Sequence, residues 1–455
     1  MPRHPVSSQP EGPLPTASPL ARLPHSASRL GLAIRNALLG PPAEHTTERN
    51  LWCLCVEVAW AGVLAAAASF NAAFAVRLGA SSAWIGYLTS APALVAVIMY
   101  IPSALVLERQ ARRLPWILGS LALVRLGYGF IVVLPSLLAA QRAEMLVITL
   151  IAISVPQTLF SAGWNPMLAD VIPQRERTRI IAWRTMLHST TVASLTLLAG
   201  WWLDASARWP WAAFPRNYQL VYALGFVGAV ISTLYVGTLR LPPAQVTPRS
   251  EAKGSKSLVD EVVTMFRTQR EYRAMVVNTL VLDSGAWLAA PLYIIFFVRE
   301  LGAGDGWVGL NTTLANVAVI VGYMLWRRAM RRLGYSLGLL VSAPLAASYA
   351  FLVALVPNLG LILVWGVLIN LINPGLSLSH FNILLQVCPE ARRPTYLATF
   401  STVMNLGAFL LPMVGVALAG VWGIRNTLLL AGSLRLLGAM LFHMNRVRVP
   451  QIEIA

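Results

Sequence analysis

The sequence predicts an all-α integral membrane protein of about twelve transmembrane helices, built as two pseudo-symmetric six-helix bundles. Three observations predict it. Of the 455 residues, 57% are hydrophobic and only 12% are charged, whereas a soluble domain carries about 25% charged residues to cover its surface. Apolar runs of about 20 residues, the length that spans a bilayer, follow one another with short breaks. Short motifs in the first half of the chain recur in the same order in the second.

The first 49 residues hold nine prolines, several arginines and no continuous apolar run, so no cleavable signal peptide is expected. Residues 1–19 read as a proline-rich, disordered tail. Ser28–Leu39 (SRLGLAIRNALL) reads either as a short amphipathic helix lying on the membrane or as a loosely ordered linker. Six candidate spans follow: Leu51–Val76, Trp84–Leu107, Leu114–Leu138, Glu144–Leu168, Ile180–Leu203 and Tyr218–Leu239. Six more come after a polar break: Ala274–Val298, Trp307–Trp326, Leu333–Val356, Leu359–Val387, Tyr396–Val421 and Asn426–Met444. Pro156 and Pro374 are expected to kink the long fourth and tenth spans. The break itself is linker-like up to Ser257 and then reads as an amphipathic helix, with Val259, Val262, Val263 and Phe266 at helical spacing. The expected organisation is a cytoplasmic tail (1–49), an N-terminal bundle (50–240), a cytoplasmic linker (241–273), a C-terminal bundle (274–446) and a short cytoplasmic tail (447–455).

The 35 Lys and Arg against 18 Asp and Glu give a net charge of +17. With the N-terminus cytoplasmic, 27 of the basic residues fall on the cytoplasmic side, six on the other, and Arg125 and Arg435 lie within spans. Such an asymmetry is the positive-inside bias of a plasma or inner membrane protein with both termini in the cytoplasm. It is not a nucleic-acid footprint, and no nucleic-acid partner is expected. Cys53, Cys55 and Cys388 form no disulfide framework or zinc spacing and read as small core residues.

The internal repeat is specific. AVRLGASSAWIG (Ala75–Gly86) matches FVRELGAGDGWVG (Phe297–Gly309) with one inserted residue. ARRLPWILG (Ala111–Gly119) matches MRRLGYSLG (Met330–Gly338) at an offset of 219, and DVIPQRERTRIIA (Asp170–Ala182) matches QVCPEARRPTYLA (Gln386–Ala398) at 216. Two parallel six-span repeats are a transporter architecture, with the substrate site between the halves near the midplane. From about residue 50 to 447 the chain resembles the major facilitator superfamily. That family's loop signature, Gly-x-x-x-Asp-Arg-x-Gly-Arg-Arg, is similar to ALVLERQARR (Ala104–Arg113): Glu108 stands for the aspartate, Arg109, Arg112 and Arg113 are kept, and both glycines are alanine. The second copy, YMLWRRAMRR (Tyr323–Arg332), has Arg327 in place of the acid. WNPMLADVIPQRERTR (Trp164–Arg179) resembles the end of the fourth helix in bacterial members. The resemblance implies that Glu108 faces the start of the eleventh helix near Thr395, where the helix dipole favours a carboxylate. Glu108, Arg109, Arg112 and Arg113 would then latch the cytoplasmic side. The alternative is a set of solvated loop charges.

Ionisable groups inside a membrane are functional candidates because burying them is costly. Glu57 lies about two turns into the first span and Asp283 near the middle of the seventh; the repeat aligns Glu57 with Thr279, one turn from Asp283. By resemblance these two helices line the central cavity. A low-dielectric site favours a neutral carboxyl, so an acid there loads and releases a proton as the cavity alternates. Glu57 and Asp283 are therefore candidates for proton coupling or substrate binding; the competing reading is a structural ion pair with Arg125 or Arg435. Polar stripes run along the repeat-related fourth and tenth spans (Ser154, Gln157, Ser161, Asn165; Asn370, Asn373, Ser377, His380) and along the fifth and eleventh (Arg184, His188, Thr191; Thr395, Thr399, Thr402, Asn405). In lipid such stripes must face protein or water. They form either a hydrated substrate path or interhelical hydrogen bonds. Arg125, Gln157, Asn165, His188, Asn370, Asn373 and His380 are the candidate cavity residues. Trp60, Trp164 and Trp287 either stack on a ring or cation of the solute or fill the core.

No phosphate-binding GxxxxGK[ST] loop, HExxH, nucleophile elbow or Cys/His metal cluster is present, so neither enzyme chemistry nor a cofactor is expected. The expected protein is a monomeric, proton-coupled secondary transporter with the lipid bilayer, a small-molecule substrate and protons as its partners. Its alternatives are a non-transporting sensor or assembly factor of the same fold, or a membrane enzyme acting on a lipid-linked substrate.

Overall fold

The computed structural model describes residues 46–108, 110, 112–138, 140–240, 266–388 and 393–444. Every regular element among them is helical. In the N-terminal half these are α1 (Thr46–Ala68), α2 (Asn71–Arg77), α3 (Ser82–Glu108), α4 (Leu114–Leu137), α5 (Arg142–Val171), α6 (Arg177–Ser206) and α7 (Arg216–Gly237). In the C-terminal half they are α8 (Arg270–Ile295), a π-helical turn (Phe296–Glu300), α9 (Asp305–Leu355), α10 (Leu359–Val387), α11 (Arg393–Trp422) and α12 (Ile424–Met444). The first span is α1 with α2, continued through a break at Ser69 and Phe70. The eighth and ninth spans run together in α9, where Gly334 alone leaves the helical region at φ 76°. Glycine lacks the Cβ that penalises positive φ, so it takes this corner without strain. The predicted tail, most of the linker helix and the C-terminal tail lie outside the described residues.

Eleven helical segments among the described residues are long and apolar enough to cross a membrane. The predicted fifth span is not one of them. α6 has 30 residues, ample to cross, but it carries Arg177, Arg179, Arg184, His188 and Asp204 along with its Ser and Thr. Its packing explains this composition. One face of α6 lies against α1 and α9 and carries Arg184, while its other face exposes large apolar side chains such as Trp183 (58%) and Trp201 (65%).

Two helix pairs make most of the contact between the halves, α6 with α9 and α3 with α11, and α8 also touches α3 and α2. The two main pairs are the fifth with the eighth span and the second with the eleventh, which the six-span repeat exchanges. A glycine sits at each crossing, against backbone in one and against side chains in the other. A Cβ on Gly309 would lie 2.8 Å from the Thr196 carbonyl oxygen and 3.1 Å from the Cα of Gly200, so α6 and α9 cross backbone to backbone. Gly86, the repeat counterpart of Gly309, packs on Val416, the counterpart of Gly200.

The buried apolar residues fall into four clusters. At the end of the bundle with few arginines, one cluster spans both halves, joining Phe70, Phe74 and Tyr218 to Ile295, Val298 and Val308. At the Arg-rich end each half has its own, around Leu54, Ile117 and Met167 in one and around Tyr272, Ile383 and Phe442 in the other. The fourth lies within the C-terminal half, around Leu292 and Phe296. Among the described residues, the halves therefore share a hydrophobic core only at the Arg-poor end.

Candidate functional site

Within the N-terminal bundle, α1, α4, α5 and α6 enclose a cavity of about 320 Å³. Glu57 and Ala61 from α1, Arg125 and Tyr128 from α4, Gln157, Phe160 and Trp164 from α5, and Arg184 and His188 from α6 line it. The helical period delivers them: Gln157, Phe160 and Trp164 recur at three and four residues on one face, as do Arg184 and His188.

An ion pair anchors the cavity. Arg184 donates to Glu57 Oε2 at 2.9 Å, with side chains 8% and 6% exposed. Two such charges stay buried only when their remaining hydrogen-bonding capacity is used. Here Ser232 donates to Glu57 Oε1 at 3.2 Å, and Arg184 donates to the Leu54 carbonyl. The guanidinium also lies 5.4 Å from the ring centroid of Trp164, a cation–π contact that gains from desolvation. Arg125 is treated differently. Its Nε donates to Thr233 Oγ1 at 3.4 Å, and its two terminal nitrogens have no hydrogen-bond partner among the described residues.

The C-terminal bundle carries a neutral counterpart of this network. At the offset of 216, Trp164 corresponds to His380 and Arg184 to Phe400, while Glu57 corresponds to Thr279. Thr279 Oγ1 and His380 Nε2 are 2.5 Å apart, and the His380 ring lies 5.6 Å from Phe400 and 6.4 Å from Phe442. The same three helix positions thus meet in both halves, charged in one and uncharged in the other. Asp283, one turn along α8 from Thr279, makes no hydrogen bond or ion pair among the described residues; Arg435 is the cation whose field reaches it. Arg435 packs on Gly285, and its Nε is buried without a partner.

A second arrangement of charge closes the Arg-poor end. Arg77 donates to the Ala303 carbonyl at 2.8 Å and to Asp305 Oδ1 at 3.3 Å. Its repeat counterpart, Arg299, donates to the Ala80 carbonyl and to Ser82 Oγ at 3.2 Å. Ala80 and Ser82 correspond in the repeat to Ala303 and Asp305, so each arginine reaches across to the same pair of positions in the opposite half.

Among the predicted residues, Glu57, Arg125, Gln157 and His188 come together in the cavity. Asp283 and His380 sit in the other half, and His380 is engaged by Thr279. Asn370 turns its amide back to the Gly366 carbonyl at 2.8 Å, and Asn373 is half-buried without a hydrogen bond among the described residues. Arg112 is exposed and Arg113 half-buried. The side chains of Asn165, Glu108 and Thr395, and Arg109 as a whole, lie outside the described residues, and with them the predicted latch. The partner of Glu57 is Arg184, not Arg125 or Arg435, and Asp283 has no cation within ion-pairing distance among the described residues. Arg184 already stood on the polar stripe of the fifth span. The reciprocal arginines were visible as matched positions of the repeat, but nothing in the sequence says that they cross between halves.

The model of the family described as Major Facilitator Superfamily matches residues 53–282 and again 275–453. No curated protein matches the sequence significantly. Among solved structures, the chain is similar to a bacterial homolog of the human lysosomal transporter Spinster, inward-facing and unoccupied, at a TM-score of 0.63 and 15% identity over 88% of this chain and 97% of that one. It is similar to the nucleoside transporter NupG at 0.63 and 12% over 87% and 99%. It is also similar to a peptide-bound transporter of the POT family at 0.65 and 14% over 91% and 98%. At these identities the likeness is one of fold.

Proposed function

This chain belongs to the major facilitator superfamily, a family of membrane transporters rather than enzymes, and we propose that it is a proton-coupled secondary transporter that carries a small solute by alternating access. The observation that carries the reading is the distribution of contacts between the halves. Each hydrogen bond between halves among the described residues lies at the Arg-poor end or midway along the spans, from the arginine pair to Thr313 with the Ala193 carbonyl. The shared hydrophobic core is at that end too. The positive-inside bias puts that end outside the cell, with both termini cytoplasmic in the plasma or inner membrane. The state described is then closed outward, which fits one of the two states that alternating access needs. A carboxyl without a hydrogen bond, Asp283, and one held by an arginine, Glu57, are the proposed coupling groups in a protein that works as a monomer.

The test is flux. Protein reconstituted in liposomes with an inward proton gradient should accumulate a solute first found by its stabilisation of the purified protein. Asp283→Asn should abolish accumulation against the gradient while leaving exchange of the solute. Saturable binding with no flux under any gradient would reject transport in favour of a sensor or scaffold.

A further inference from the structure

We propose that the N-terminal cavity binds a small organic monoanion with a flat apolar body, its carboxylate held by Arg125 and its body set against Phe160 and Trp164. The charge count leads to this ligand. Glu57 and Arg184 cancel each other at 2.9 Å. Arg125 has no carboxylate within ion-pair distance among the described residues, so the cavity keeps one uncompensated positive charge. An unpaired cation away from water is costly, and a planar guanidinium with two open terminal nitrogens matches a carboxylate in a two-pronged geometry that an ammonium does not. Thr233 holds the Nε side of the fork, which leaves the outer edge for the ligand.

The walls set the rest. Phe160 and Trp164 lie 5.0 Å apart, tilted by 32°, and the other walls are mostly Ala, Val and Leu. At 320 Å³ the cavity is at the small end of ligand sites, which run from about 300 to 1,000 Å³. That size favours a single ring or short chain. One free cation disfavours a dianion, and the same field repels organic cations. The inference names the substrate class for the transporter proposed above and rests on that reading for its purpose, although binding does not depend on it.

Benzoate is the probe, with benzamide as its neutral isostere, benzylamine as the cation and laurate for a fatty acid arriving from the bilayer. Radiolabelled benzoate should bind the purified full-length protein saturably and raise its unfolding temperature, with benzamide and benzylamine failing to compete. Arg125→Gln should weaken benzoate by roughly tenfold or more, the loss expected for a charge-assisted pair. Arg125→Lys should recover part of it and serves as the folding control. Phe160→Ala, which leaves the charge in place, should weaken benzoate more than acetate. Absence of saturable benzoate binding, equal binding of benzamide, binding unchanged in Arg125→Gln, or tighter binding of laurate than of benzoate would each overturn the proposal. Arg125-dependent benzoate binding without flux in liposomes would leave the site standing and reject the transport reading.

Discussion

Replacing the two reciprocal arginines should open the Arg-poor end of the bundle. In the double variant Arg77→Met, Arg299→Met the apolar stems remain, but the donors to the Ala303 and Ala80 carbonyls are lost, together with the contacts to Asp305 and Ser82. A hydrogen bond from a charged donor is worth about 1.5–3 kcal/mol net. Arg77 is 31% exposed in its side chain and Arg299 is exposed, so the lower figure applies, and the Arg77–Asp305 pair adds at most about 1 kcal/mol. Two arms at about 1.5 kcal/mol give about 3 kcal/mol, a shift of roughly 100-fold or more in the ratio of closed to open. A form open at this end that is populated at about one part in a hundred then becomes as abundant as the closed one. Each single variant should shift the ratio about tenfold. The assay is the distance between spin labels at Arg208→Cys and Pro357→Cys, exposed positions at this end of opposite halves, after Cys53, Cys55 and Cys388 are replaced by alanine. The double variant should gain a longer-distance population that neither the parent nor a single variant shows as strongly. An unchanged distribution in the double variant would refute the reasoning and assign closure to the apolar cluster alone.

The crossing of α6 and α9 predicts a steric counterpart: Gly309→Val puts a branched side chain where even a Cβ lies 2.8 Å from backbone, and it should lengthen the same label distance with both arginines intact. Arg184→Met leaves Glu57 buried without its cation and should cost about 3–5 kcal/mol of stability, read by chemical unfolding in detergent; adding Glu57→Gln should restore most of it, and additive losses would rule out the pair as the cause. Thr279→Val leaves His380 Nε2 without its partner and should cost about 1–3 kcal/mol in the same measurement; no loss would show that water replaces the hydroxyl. Asp283→Asn should remove the dependence of uptake on the proton gradient, measured in liposomes at fixed membrane potential; uptake that still follows the gradient would assign coupling elsewhere, with Glu57 next.

Much of the fold was legible because the membrane imposes it locally. A backbone in hydrocarbon must satisfy its own hydrogen bonds, so run length and composition report the spans one by one, and the halves reveal their kinship through matched loops. α6 shows where that reading stops. Arg184 and His188 lower its hydropathy because one face of the helix meets a cavity and a neighbouring helix, and only packing reveals that environment. Gly334 fell within the predicted ninth span, yet it is the corner at which one helix becomes two spans.

The amino-acid sequence by itself determined the class of protein, the approximate number and order of its spans, the two-fold repeat and the acids worth testing. These follow from the partition of side chains between water and lipid and from internal similarity along the chain. The tertiary structure alone decided which charge meets which. Glu57 could have met either of two intramembrane arginines, but it pairs with Arg184 because α1 and α6 pack together over that stretch, and Arg125 is thereby left open on the cavity. The same holds for Arg77 and Arg299. Pairing energies fall steeply with separation in space, and separation in space is set by helix packing, which sequence spacing does not encode.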